Sequence, residues 1–547
     1  MAAAPSNIVI RGGRIYTVDD AQPWAEAVAI RGDRISWVGH EADAAEHIGP
    51  DTEIIEGNGG LVLPGIIDSH NHVRVGGSGD SSLDLHGAAT LAEVHERFAA
   101  WLREHPDATW IEANGLSYEA IPGGGMPASE HFDGQVTGGL PAIVLTYDAH
   151  NAVLNRSGLA RFGITRDTEQ TPFGIVEKDP TTGEPTGLIG DFAVMGIERA
   201  GHAALAAVLP GYSPENQYQA LIRNLDLGIS LGITTIVEPQ NSLDDLPLFA
   251  RARNEGRLRP RLVAALFHPP WTSDEDLDTF AAATRTYADD RFRVGPLKLY
   301  IDDVVEPHTA AFSEPYATEP RTLGEAFYEP AAFRDLITKL DARGFQTFTH
   351  AMGDRGIRMV LDAHEHARAV NGVRDARHQL VHVECPHPHD VARFSELGLV
   401  ACMQPRHWGP DIAEVWRKAV GPERERWAAP FRSLGENGVT LAFSSDWDVA
   451  EMDPLVGIYS ALTRADLRGE NAWGVEQTVD LPTAIRAYTM GGAFANHCDT
   501  NRGSISPGKY ADLIVLSEDL FGLEPTAILE TRVVTTIVGG EVQFRAA

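Results

Sequence analysis

Short apolar runs of about five residues, separated by glycine-containing turns, open the chain: Ile8-Val9-Ile10, Arg14-Ile15-Tyr16-Thr17-Val18, Ala27-Val28-Ala29-Ile30 and Arg34-Ile35-Ser36-Trp37-Val38. Such spacing predicts a small antiparallel β unit, too short to close a core of its own. Matching runs stand at the other end, in Ala511 to Leu516, Val533 to Val538 and Val542 to Phe544. The two ends are expected to meet in one β-sandwich, residues 1–60 and 499–547, flanking everything between.

In the middle the period changes. Tyr218, Leu221, Leu225 and Ile229 follow Ser213-Pro214 at helical spacing, and Ile233 to Val237 follows Gly232 as a strand. Phe333, Leu336, Ile337 and Leu340 mark another helix, stopped at Gly344 before the strand Phe345 to His350. Further strands read as Gln379 to His382, Leu399 to Met403 and Thr440 to Ser444, while Thr90-Leu91-Ala92-Glu93 reads as a capping box opening a helix. Alternating strands and helices predict a parallel sheet with crossover helices, and over residues 61–498 a (β/α)8 TIM-type barrel of the α/β class. A Gly- and Pro-rich region, about 114–212, breaks the rhythm and reads as an insertion.

Composition narrows the partners. The 547 residues carry 45 basic and 77 acidic side chains, a net charge of -32, which argues against nucleic acid and anionic membranes and says little about a small-molecule substrate. No window approaches a membrane span, and Met1-Ala2-Ala3-Ala4-Pro5 lacks the charged and apolar regions of a signal peptide. Three cysteines, Cys385, Cys402 and Cys498, make no disulfide framework, so a cytoplasmic location is expected.

Candidate chemistry gathers at the ends of the expected strands. The run Leu61 to Asp68 leads into His70-Asn71-His72, and alternate residues of an extended segment face the same way, as a zinc-type ion requires. Lys298 lies in Leu297-Lys298-Leu299-Tyr300, His350 and His382 end two strands, and Asp446 follows Phe443-Ser444-Ser445. In a parallel barrel these ends share one mouth, where catalytic groups are carried. His387 and His389 copy the metal-pair spacing but open a helix and read as surface residues.

Six motifs in this order resemble the amidohydrolase superfamily, and within it the branch of long amidohydrolases that includes N-substituted formamide deformylases. They are Leu63 to His72, His350-Ala351-Met352-Gly353-Asp354-Arg355, Arg377 to His382, Met403-Gln404-Pro405, Phe443-Ser444-Ser445-Asp446, and Gly503-Ser504-Ile505 to Asp512. One position departs: relatives usually follow the strand-four Asp with Gly, where this chain has Asp302-Asp303. The resemblance implies a divalent metal, zinc foremost, one or two ions per chain. It implies that His70 and His72 ligate the more buried ion and His350 and His382 the more exposed one. Lys298, carboxylated at its side-chain nitrogen (N6), would bridge them, and Asp446 would ligate and act as general acid/base. The implied reaction is hydrolysis of a non-peptide C–N bond (an amide, N-formyl or cyclic amide) by metal-activated hydroxide, in an enzyme that pairs as a homodimer. Tyr118, His150, Trp408 and Trp447 are candidates to line the substrate pocket, with ordinary packing as the alternative. A heterocycle deaminase on the same barrel, using Glu384, and a non-catalytic binding protein remain as rival readings.

Overall fold

Gly65 is where the chain changes sheets. In the computed structural model, which describes residues 6–74, 82–122, 126–147, 150–168, 175–190, 213–410 and 413–546, the apolar run beginning at Leu61 is two strands. Leu61–Pro64 pairs within the flanking sandwich and Ile66–Asp68 opens the central sheet. A Cβ at Gly65 would sit 2.2 Å from Thr234 Oγ1, so only glycine lets the turn pack this close.

The central sheet has eight parallel strands: β1 (Ile66–Asp68), β2 (Ile233–Asn241), β3 (Arg261–Phe267), β4 (Phe292–Tyr300), β5 (Thr347–Ala351), β6 (Gln379–His382), β7 (Val400–Met403) and β8 (Thr440–Phe443). They pair in sequence order, with Tyr300 opposite His350 and Ala351 opposite His382. Past the ends of β8 and β1 the seam is bridged by backbone bonds, from Ser69 N to Phe443 O (3.3 Å), Asp446 N to His70 O (2.8 Å) and His72 N to Trp447 O (2.8 Å). Ala265, Phe348, Val381 and Cys402, from β3, β5, β6 and β7, fill the interior as one cluster. The parallel barrel and the sandwich built from both ends are as the alternation of periods predicts.

Crossover helices form where the apolar stripes place them. Phe333, Ile337 and Leu340 bury one face of the helix Pro330–Ala342, each contributing about 2 kcal/mol of apolar burial. The helix ends at Gly344, whose φ of +84° lets Phe345 N reach back to Leu340 O. The sandwich packs one sheet of Arg34–Gly39, Ala27–Arg31, Ile8–Arg11 and Glu53–Glu56 against a second. The second joins C-terminal strands to N-terminal ones through Leu513–Leu516 and Leu61–Pro64, over a shared core of Ile10, Val28, Val62, Leu513 and Ile537. Arg261 at the start of β3 makes a buried two-pronged ion pair with Asp512 (2.7 and 3.0 Å), and Asp512 also accepts Gly539 N at 2.7 Å.

A second compact unit, Arg74–Leu221, begins well ahead of the irregular stretch at 114–212. Its own six-stranded sheet runs from Ile175–Lys178 through Pro185–Gly190, Asn151–Leu154, Ala142–Thr146 and Ile111–Leu116 to Leu83–Asp84. The helix signalled by Thr90-Leu91-Ala92-Glu93 forms over Leu91–Glu104, but it covers this sheet rather than serving as a barrel crossover. Thr90 Oγ1 accepts from Glu93 N, and the Glu93 carboxylate returns a bond to Ala89 N instead of the cap residue. Of the irregular stretch, residues 123–125, 148–149, 169–174 and 191–212 lie outside the described residues. Among the described residues no helix is long and apolar enough to cross a membrane.

Candidate metal centre at the barrel mouth

His70 and His72 follow β1 after its strand has ended, and the seam bonds hold them in place of a ladder. Their rings lie 5.1 Å apart, and Nε2 of each approaches Asp446 Oδ1, at 3.1 Å and 3.3 Å. His70 is 1% exposed and Asp446 6%. Both contacts lie at hydrogen-bond distance, yet among the described residues no donor is well aligned to the buried Asp446 Oδ1. On the other carboxylate oxygen, His382 Nδ1 and His407 Nε2 both stand at 3.8 Å. Two trios thus share Asp446, one with His70 and His72 and one with His382 and His407.

Backbone strain builds part of this arrangement. His382 directly follows Val381, whose side chain fills the barrel interior, so a regular strand would turn the imidazole outward. Instead φ is +73° at His382 and +50° at Val383, and the ring swings to within 5.2 Å of His70 and 4.6 Å of His350. Asp446 adopts +57°. Left-handed conformations at non-glycine residues cost on the order of 1–3 kcal/mol each and persist where surrounding structure enforces them.

Asp68 supplies some of that enforcement. Its carboxylate accepts from Ser445 Oγ (2.6 Å), Ser445 N (2.9 Å) and Asn71 Nδ2 (2.8 Å), so it ties the segment bearing both histidines to the segment bearing Asp446. Burial lifts its carboxyl to about 6 despite these donors. Asp302 accepts Met352 N, Gly353 N and Ala311 N, and Asp303 O lies 3.4 Å from His350 Nε2. Asp302 therefore clamps the loops beside His350, whereas the departing residue, Asp303, approaches His350 through a backbone carbonyl that glycine would also supply.

The electrostatics favour ligand chemistry. Burial pushes His70 down to about 3 and His382 well below the ordinary imidazole value, leaving neutral rings with lone pairs. Burial alone would raise Asp446, yet electrostatic attraction from the imidazoles and their nitrogens at hydrogen-bond distance hold the carboxyl well below the usual range, so it is an anion. Lys298 is fully buried, and burial lowers its amine to about 8. Its Nζ lies over the Tyr300 ring at 4.6 Å and the Phe348 ring at 5.4 Å, with no ion pair among the described residues. An orphaned carboxylate oxygen, an unpartnered buried His407 Nε2 and neutral imidazoles are a donor set that fits a divalent cation.

The structure gathers His70 and His72 at one oxygen of Asp446 and His382 at the other. His350 stands beside His382 and joins neither trio, its ring tilted on Tyr300 at 4.9 Å. His407 was not singled out; a short 3-10 turn, Pro405–Trp408, delivers it from just beyond the Met403-Gln404-Pro405 motif. Trp408 packs on Trp416 (5.0 Å) and Trp473 (6.0 Å), and Trp447 lends its carbonyl to His72 N. Tyr118 and His150 belong to the second unit, where Tyr118 is buried and its hydroxyl accepts from Asn151 Nδ2 at 2.7 Å.

A parallel β/α barrel with imidazoles and a carboxylate gathered at the C-terminal mouth defines a metal-dependent hydrolase. The chain belongs to the Amidohydrolase family, whose model matches residues 53–544. Among relatives, Protein LONG AFTER FAR-RED 3 of Arabidopsis thaliana is 28% identical over 99% of this chain and 92% of its own length. An N-substituted formamide deformylase of Arthrobacter pascens is 25% identical over 98% of each. An uncharacterized metal-dependent hydrolase from Pyrococcus horikoshii shares the fold, with a TM-score of 0.71 at 20% identity over 98% of this chain and all of that one.

Proposed function

We propose that this hydrolase cleaves a carbon–nitrogen bond other than a peptide bond, in an amide, N-formyl or cyclic-amide group of a small molecule. The observation that carries the reading is Asp446, anionic and buried, with imidazoles at both oxygens and, among the described residues, no well-aligned hydrogen-bond donor on Oδ1. The full-length likeness to a formamide deformylase supports the bond type. His70, His72 and Asp446 would hold a divalent ion, zinc foremost by its taste for nitrogen ligands, and His382, His407 and Asp446 a second, with His350 and Lys298 beside them. When bound, the ion supplies Lewis acidity, easing deprotonation of water and polarising a carbonyl.

Asp446 accepts the proton that water gives up as its oxygen attacks the carbonyl carbon. It returns that proton to nitrogen as the C–N bond breaks, so one water is consumed and an acid and an amine leave. Lys298, with an amine lowered to near 8, has a minor free-amine fraction at neutral pH whose lone pair can add CO₂, releasing a proton and gaining two carbamate oxygens. The Glu384 carboxylate on which a deaminase would rely is turned instead to Trp416 Nε1, at 2.7 Å.

The test is zinc-reconstituted protein assayed against N-formyl, N-acyl and cyclic-amide compounds for released amine. Asp446→Asn is expected to lower turnover about 10²–10⁴-fold, the usual contribution of a general acid–base group. An Asn variant with wild-type turnover would remove the assigned role, and ammonia as the sole product would favour the deaminase.

A further inference from the structure

Gln404, from the Met403-Gln404-Pro405 motif, has no part in the reaction as described, yet it is 1% exposed and sits directly against the site. Its Oε1 lies 2.9 Å from His382 Nδ1, and its Nε2 donates to Ser444 Oγ at 2.9 Å. Ser444 Oγ, fully buried, donates in turn to Met403 O at 3.3 Å.

The inner end of this chain is a backbone carbonyl, which only accepts; with the Ser444 hydroxyl given to it rather than to Cys402 Sγ, 3.7 Å away, the direction of the other links follows. Ser444 gives its hydroxyl proton to Met403 O, so its oxygen is left to accept from the Gln404 amide. The amide nitrogen is thereby committed to Ser444, and the amide oxygen is what faces His382. An oxygen there can only accept, so His382 carries its proton on Nδ1 and its lone pair on Nε2.

From this we infer that Gln404 is a positioning residue: the directed chain His382–Gln404–Ser444–Met403 O keeps the His382 proton on Nδ1, the nitrogen that also stands 3.8 Å from Asp446 Oδ2, and leaves Nε2 as the lone-pair nitrogen for a cation. The inference rests on the metal-site reading above and specifies it. Chain positions 382, 403, 404 and 444 meet because β6, β7 and β8 are neighbours in the barrel. Partners behind a metal-bound histidine set ring orientation and basicity, and losing one typically costs 10–100-fold in affinity.

The experiment measures zinc affinity of the full chain by chelator competition, and the His382 tautomer by ¹⁵N NMR of zinc-free, histidine-labelled protein. Wild type is expected to show His382 protonated on Nδ1; protonation on Nε2 would overturn the inference without any variant. Gln404→Met, which fills the space but cannot accept, is expected to weaken zinc binding about 10–100-fold. Gln404→Glu still accepts from Nδ1 and is expected to recover most of that loss. Equal losses in both variants, or wild-type affinity in Gln404→Met, would show that Gln404 merely packs. Should Gln404→Met fail to fold, Ser444→Ala frees the amide to turn and is expected to weaken zinc in the same direction by less; no weakening overturns the inference. A wild-type chain that holds no zinc defeats the hydrolase reading itself, whereas zinc held alike by wild type and variants defeats this inference alone.

Discussion

Replacing Asp68 with alanine tests whether the barrel seam sets the geometry of the site. The carboxylate accepts three hydrogen bonds shorter than 3 Å, two from Ser445 and one from Asn71, all out of solvent. Bonds to a charged acceptor contribute about 1.5–3 kcal/mol each, and stranding buried donors adds desolvation cost. Against this stands the cost of burying the carboxylate itself, visible in its raised pKa of about 6. The net loss expected for Asp68→Ala is on the order of 3–5 kcal/mol, as for other broken buried charged networks. The functional effect is larger than stability alone suggests, because Asp68 fixes His70 and His72 against Asp446, and a 1 Å misplacement costs about 10²-fold in rate. Asp68→Asn has the same size and keeps one acceptor oxygen, so its losses should be smaller on both counts. The assay pairs denaturation midpoints of the zinc-free proteins with turnover and zinc content after reconstitution. Wild-type turnover and zinc content in Asp68→Ala would refute the claim that this carboxylate aligns the two halves of the site.

Lys298→Ala should abolish turnover and regain part of it in millimolar short carboxylates, which replace carbamate oxygens; activity indifferent both to the mutation and to CO₂ removal would exclude a carboxylated lysine. Asp512→Ala leaves the Arg261 guanidinium buried without its partner and should destabilise the chain by about 3–5 kcal/mol, read from chemical denaturation. Burial holds His364 and His378 below the ordinary imidazole value of about 6.5, so the unfolded chain binds protons that the folded chain refuses. Stability should therefore fall as pH drops below about 6.5, and His364→Gln should flatten that slope in a thermal-midpoint titration.

What the sequence revealed and what it withheld divide along the range of the interaction. Strand and helix periods are local, so the barrel and the shared sandwich were readable, as was the His70–His72 pair. His382 was found by its motif, but the left-handed turn that aims it was invisible, since nothing in Leu380-Val381-His382 marks a broken pleat. His407 and Gln404 lay one turn apart in plain view. Their significance comes from β6 and β8, packed on either side of β7, and no pattern along one segment reports that. That a second unit begins at Arg74 was not readable for a similar reason: the helix at Leu91–Glu104 has the same stripe whether it covers a barrel or a separate sheet.

The seam also governs when the molecule becomes competent. Asp68 and Ser445, which join across it, are 377 positions apart, so the first strand must wait for almost the whole barrel to be synthesised. A nascent chain holds its two histidines early but has nothing to set them against until the final strand emerges. Closing the ring and completing the centre are thus one event, and no shortened chain ending before β8 would be an enzyme.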